Sequence, residues 1–201
     1  MKMKNMLIGG MSLVLVACVS IGGTLAYLTA TSDEVENTFV GSKGIAMTLD
    51  EAKVDPATGE EIVGEGAGRV KTNSYTDIIP GKAVDKDPTV HLTEIPTGGA
   101  DLYVRVSGVD SEAYEADVTI DSHWTKVGDF EGVDGLYKYN GVVTSTGDYI
   151  VFDGVTFDYD QEGNATPTIS PITVKAYAIQ TGVSNADELA ATALDYQVPL
   201  D

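Results

Sequence analysis

The chain has 201 residues, enough for one domain behind an export signal and too few for two sizeable cores. Its 31 acidic residues against 12 basic ones give a net charge of −19, which excludes a broad cationic face for nucleic acid or anionic lipid. A hydrophobic content of 43% excludes wholesale disorder, and a single cysteine, Cys18, excludes an internal disulfide.

The first residues have the pattern expected of a leader. Lys2 and Lys4 make a positive start, an apolar stretch runs from Met6 to about Ile21, and Thr24-Leu25-Ala26 is a small-x-small tripeptide that a signal peptidase accepts. The pattern predicts cleavage between Ala26 and Tyr27, with residues 1–26 a signal peptide and 27–201 a secreted domain. Gly9, Gly10, Gly22 and Gly23 dilute the apolar run, leaving it marginal for a hydrocarbon layer of ~30 Å. Leu15-Val16-Ala17-Cys18 resembles a lipoprotein processing box, so acylation at Cys18 is the alternative. Cleavage after Ala26 is preferred, because the chain stays apolar through Leu28 where a lipid anchor would lead into a polar tether. Removal of the signal takes away Lys2, Lys4 and Cys18, so 175 residues carrying −21 must be held together by their core alone.

Beyond the leader, residues 27–39 are mostly polar, with Tyr27, Leu28, Val35 and Phe39 as apolar members. Residues 50–68 are acidic and Gly-rich and are predicted to form a long surface loop. Short strands are predicted over 89–94, 117–121, 123–127, 135–139, 149–152 and 155–159. Residues 101–109 alternate, with Leu102, Val104 and Val106 on one face and Tyr103, Arg105 and Ser107 on the other. Residues 171–180 repeat the pattern, with Ile172, Val174, Ala176 and Ala178 inward. Gly98-Gly99, Asp134-Gly135, Asn140-Gly141, Gly147-Asp148 and Asp153-Gly154 are turn signals between them. One helix is predicted over 184–194, capped by Ser184 or Asn185, with Asp187 and Glu188 at its positive end. Without βαβ alternation this order predicts an all-β fold: a single antiparallel β-sandwich with one short C-terminal helix, preceded by a signal peptide.

Catalytic constellations are scarce. Zinc proteolysis needs two histidines one helical turn apart around a Glu. His91 and His123 are 32 residues apart, and each reads as structural. No Gly-x-Ser-x-Gly elbow is present, and Gly64-Glu65-Gly66-Ala67-Gly68 lacks the Lys-Ser/Thr of a phosphate loop. Asp158, Asp160 and Glu162 ahead of Gly163 imitate half of a calcium loop, but Ile169 stands where the bidentate Glu belongs. That segment reads as a solvated acidic hairpin loop, with weak calcium binding as the alternative. The expectation is therefore a non-enzyme without catalytic, cofactor-binding or metal residues. Tyr103, Trp124, Tyr137, Tyr139 and Tyr149 could form a stacking face for glycan, although cross-strand packing explains them as readily.

Two blocks of sequence carry a resemblance. Gly22-Gly-Thr-Leu-Ala-Tyr-Leu-Thr29, followed by Asn37-Thr-Phe-Val-Gly-Ser-Lys-Gly-Ile-Ala-Met-Thr-Leu49, resembles the start of TasA/camelysin (CalY) proteins with SipW-type signals. Tyr75-Thr-Asp-Ile-Ile-Pro-Gly-Lys-Ala-Val-Asp-Lys-Asp-Pro-Thr-Val90 is similar to the family's Pro-Gly…Lys-Asp-Pro-x-Val segment, and Leu102–Val106 and Ala176–Gln180 to its later strands. The resemblance implies a secreted biofilm-matrix protein of Gram-positive bacteria with a jelly-roll-like sandwich, exported through a dedicated signal peptidase. It further implies fibres in which the N-terminal segment of one subunit completes the sheet of the next. Residues 27–39 match that donor segment, with Tyr27, Leu28, Val35 and Phe39 as its apolar anchors. The implied partners are further copies of the chain and an accessory matrix protein, with no nucleic acid, in the extracellular matrix or at the cell surface. Some camelysins are classed as metallopeptidases, an activity that the missing zinc motif disfavours here. The rival expectation is a monomeric cell-surface or matrix-binding module that does not polymerise.

Overall fold

Alternating apolar residues become antiparallel ladders. A computed structural model describes residues 29–31, 44–76, 78–112, 114–128, 131–159 and 169–196, with the backbone alone for 29–31. The predicted signal, its cleavage site at Ala26 and Tyr27, Cys18, and the anchors Leu28, Val35 and Phe39 lie outside these residues, as does most of the acidic loop after Tyr159.

The strands are β1 (Thr29–Thr31), β2 (Ala46–Ala52), β3 (Arg69–Val70), β4 (Ala83–Asp85), β5 (Thr89–Glu94), β6 (Ala100–Ser107), β7 (Glu115–Asp117), β8 (Trp124–Lys126), β9 (Gly135–Tyr139), β10 (Gly147–Ile150), β11 (Gly154–Asp158) and β12 (Thr173–Gln180). The helix is α1 (Ala186–Ala193). The strands form three antiparallel sheets, ordered β1-β12-β6-β9-β8, β10-β5-β2-β3 and β4-β11-β7. Their backbone is the longest where β12 lies along β6 over eight residue pairs, from Thr173 opposite Ser107 to Gln180 opposite Ala100.

One apolar cluster draws side chains from all three sheets: Met47 of β2, Val90 and Leu92 of β5, Leu102, Val104 and Val106 of β6, Val155 and Phe157 of β11, and Val84 of β4. The predicted inner face of β6 is thus the core face. Its other face is not solvent. Tyr103, with Leu136, Tyr177 and Ile179, packs under Ala186, Ala190, Ala191 and Leu194 of the helical segment. The alanines keep the helix close to the sheet, so β6 and β12 are covered on both sides.

The helix ends are held from the sheet. Asn185 occupies the N-cap position, yet its side chain makes no capping bond. Asp187 in the first turn instead accepts from the Tyr103 hydroxyl at 2.5 Å. No basic residue lies in the last turn. Arg105 of β6 fills that role by donating to the carbonyls of Leu194 and Asp195 at 2.8 and 2.7 Å.

Several expected boundaries move. Residues 50–52 belong to β2 and not to a loop, and Val54 bridges to Glu61 in a tight excursion before β3. Their acids are paired internally, which is why composition disguised them. The strand expected over 117–121 is Glu115–Asp117, and Asp121 turns the chain by accepting from the backbone N–H of His123 at 2.9 Å. The strand expected over 149–152 is Gly147–Ile150, so Gly147-Asp148 opens a strand opposite Leu92 and His91. Val151 and Phe152 leave the ladder to enter the core.

Candidate functional site

The β12 edge is where the described residues leave a long strand partly unpaired. Ala176 and Ala178 fix β12 to the inter-sheet core, while Tyr177 and Ile179 fix it beneath α1. On one side β12 is paired throughout its length with β6. On the other, β1 pairs with its last half only: Thr29 opposite Ile179, Ala30 opposite Ala178, Thr31 opposite Tyr177. Among the described residues, no strand lies on that side of Thr173, Val174 and Lys175.

A cavity of about 470 Å³ adjoins this part of β12. Ile172 and Val174, Leu49 of β2, and Val155 and Phe157 of β11 give it apolar walls. A buried ion pair stands at its polar end: Lys86 Nζ lies 2.6 Å from Glu51, with both side chains about one-tenth exposed (12% and 8%). The other Glu51 oxygen accepts from the Asn73 backbone N–H at 3.1 Å, so neither partner is stranded. Burial, reinforced by Glu51, Asp85 and Asp87, pushes the nearby Tyr75 hydroxyl well above its ordinary range. It stays neutral and donates to the Asp85 carbonyl at 2.8 Å.

The histidines do not assemble a catalytic pair. His91 sits mid-strand in β5, with Nδ1 2.6 Å from Asp148 and Nε2 2.9 Å from Asp50. Burial pulls the imidazole down, but the bonds to Asp148 and Asp50 outweigh it, and the net shift is upward. His123 precedes β8 in another sheet, where its Nδ1 lies 2.6 Å from Asp121. Among the described residues no three His, Cys, Asp or Glu side chains are placed to hold a metal ion. No described helix is long and apolar enough to cross a membrane.

The five aromatic residues considered for glycan stacking do not share a surface. Tyr103, Trp124 and Tyr137 are buried. Trp124 donates to the Ile150 carbonyl at 2.8 Å and Tyr137 to the Val133 carbonyl at 2.6 Å. Half-buried Tyr139 and Tyr149 meet edge to face at 5.0 Å, and one face of Tyr139 is stacked on His123. Packing accounts for all five.

Sequence reasoning did not find the ionic set around His91, which includes Asp50, Asp148, Arg69 and Asp87. Its members come from β2, β3, β5, β10 and the β4–β5 connection, so only strand register brings them together. No family model, curated protein or solved structure matches the chain.

Proposed function

We propose that the chain is a secreted, non-enzymatic structural subunit of extracellular biofilm-matrix fibres of the TasA/camelysin kind. A dedicated signal peptidase frees Tyr27, the body is a single jelly-roll-like sandwich, and the N-terminal segment of one copy lies along β12 of the next. Its partners are copies of itself and an accessory matrix protein.

The observation that carries this reading is the short hold of β1 on β12. Three residue pairs occupy an edge that can accept a longer strand. A segment that completes its own sheet can complete the same edge of another copy, and head-to-tail exchange that does not close yields filaments. The same pairing also favours the rival reading, because a β1 that stays at home leaves a monomeric surface module. Deletion of residues 27–36 separates them. The truncated domain should fold, since β1 is an edge strand, and should no longer form fibres by electron microscopy. Undiminished fibres from the truncation would overturn donation by the N-terminal segment.

A further inference from the structure

An ionic chain crosses every strand of the four-stranded sheet. Asp148 of β10 faces Nδ1 of His91 on β5 at 2.6 Å, and Nε2 of the same ring faces Oδ1 of Asp50 on β2 at 2.9 Å. That oxygen also takes Nε of Arg69 on β3, and Nη1 of Arg69 reaches Asp87 at 2.8 Å in the link before β5. The groups alternate in sign only when His91 is protonated. A neutral imidazole has one N–H and one lone pair, so it donates to one carboxylate and presents a lone pair to the other. Two carboxylates on two ring nitrogens fit the imidazolium.

We infer that His91 is a pH-sensitive clasp whose imidazolium ties edge strand β10 through β5 to β2, and whose deprotonation releases Asp148 and loosens β10. The two carboxylates are not equivalent in this. Asp50 keeps Arg69 when His91 loses its charge, whereas His91 is the one cation paired with Asp148 among the described residues. A neutral ring leaves Asp148 at most an uncharged hydrogen bond while Asp50 keeps an ion pair, so the loss of charge falls on β10. That strand is four residues long, opens on Gly147-Asp148, and has exposed side chains at Asp148 and Ile150. Beyond β5 it is held by the Trp124 indole on the Ile150 carbonyl and by Tyr149 packed edge to face on Tyr139.

The groups facing His91 are Asp50 from β2 and Asp148 from β10, with Arg69 of β3 and then Asp87 acting through Asp50. Thr48, opposite His91 on β2, is neutral. Glu51, the residue after Asp50 on β2, is turned the other way and holds Lys86. Burial lowers the folded imidazole, but the hydrogen bonds to Asp148 and Asp50 outweigh it and leave it above its unfolded value of about 6.5. Its contribution is complete below that value and is lost as pH rises through the folded pKa. The seam is tight below the unfolded value and slackens as pH rises through the higher folded one.

Titration of His91 by NMR, together with amide exchange across β10 corrected for its intrinsic pH dependence, tests the clasp. His91 should titrate above the free imidazole. Protection at Tyr149 and Val151, whose amides face β5, should fall about two- to fivefold through the same pH range, the size of one partly exposed ion pair, while the β2–β5 ladder holds. His91→Gln should abolish the step. Asp148→Asn, at an exposed position that tolerates change, should both lower the His91 titration and abolish the step, and it carries the test if the first variant fails to fold. A His91 that titrates at or below the free value, or a step that persists in either variant, would overturn the inference.

Discussion

Fixing β1 to its own β12 separates exchange from every other route to a polymer. Ala30 and Ala178 stand directly opposite each other. Opposed Cα atoms in an antiparallel pair lie about 4.5 or 5.5 Å apart, both within the range a disulfide spans. Ala30→Cys with Ala178→Cys should therefore close on oxidation without moving the backbone. Without that bond the arm is weakly held. Ordering three residues costs about 3–6 kcal/mol of backbone entropy. The few ladder bonds they make return about 0.5–1.5 kcal/mol each. The balance is near zero, so the open arm is well populated. An intact disulfide between residues 30 and 178 removes the open arm altogether, so any growth that remains measures only the uncross-linked fraction. Light scattering and electron microscopy of the oxidised double variant should show fibre growth reduced in proportion to the fraction cross-linked and restored by reductant. If the cross-linked protein, verified by mass, polymerises at the rate of its reduced form, exchange of β1 is not the mechanism.

Two further outcomes test the packing that presents this edge. Asp134 accepts from the backbone N–H of Gly108 and Val109 at 2.9 and 2.8 Å, and Asp110 reciprocates on Val133 and Asp134 at 2.9 and 2.8 Å. Asp134→Ala strands those donors beside buried Val109 and should cost about 2–4 kcal/mol; a urea midpoint unchanged from the parent would show that the clasp is idle. Gly108 has φ +88°, and a Cβ there would lie 2.3 Å from the Pro171 carbonyl oxygen. Gly108→Ala should cost at least about 2 kcal/mol, whereas Gly141→Ala, at φ +81° with open space around it, should cost only the left-handed penalty of about 1–2 kcal/mol. Equal denaturation midpoints for the two would refute the argument from close approach.

What the sequence made legible was local. The alternation in β6 and β12 located both strands and their core faces, and β9 matched its expected bounds at Gly135–Tyr139. The alanine-rich helix was equally plain. Patterning could not show that this helix covers the far side of β6 and β12, so Tyr103 read as a surface residue although it is fully buried. It could not place β2 either, because Asp50 and Glu51 mimic a solvated loop until Arg69 and Lys86 are brought to them from 19 and 35 residues away. Gly147-Asp148 misled for the opposite reason. Its turn chemistry is genuine, but pairing with β5 overrides it, and the clasp at His91 depends on that pairing.

The distribution of cations explains how so acidic a chain holds a core. Arg69, Lys86, Lys138 and Lys175 each meet a carboxylate. Arg105 and Lys126 are committed to carbonyls at the helix end and beside Gly132. These six basic residues are thus spent on joining strands and closing turns. Two copies of so acidic a chain repel at low ionic strength, and screening with a length of about 8 Å at physiological salt removes most of that repulsion between exposed charges. A contact built from backbone ladder bonds along β12 loses little by the same screening, because its donors and acceptors are neutral. Association through that edge is therefore compatible with the charge of −21 carried by residues 27–201, whereas a side-chain interface across the acidic faces would have to overcome it.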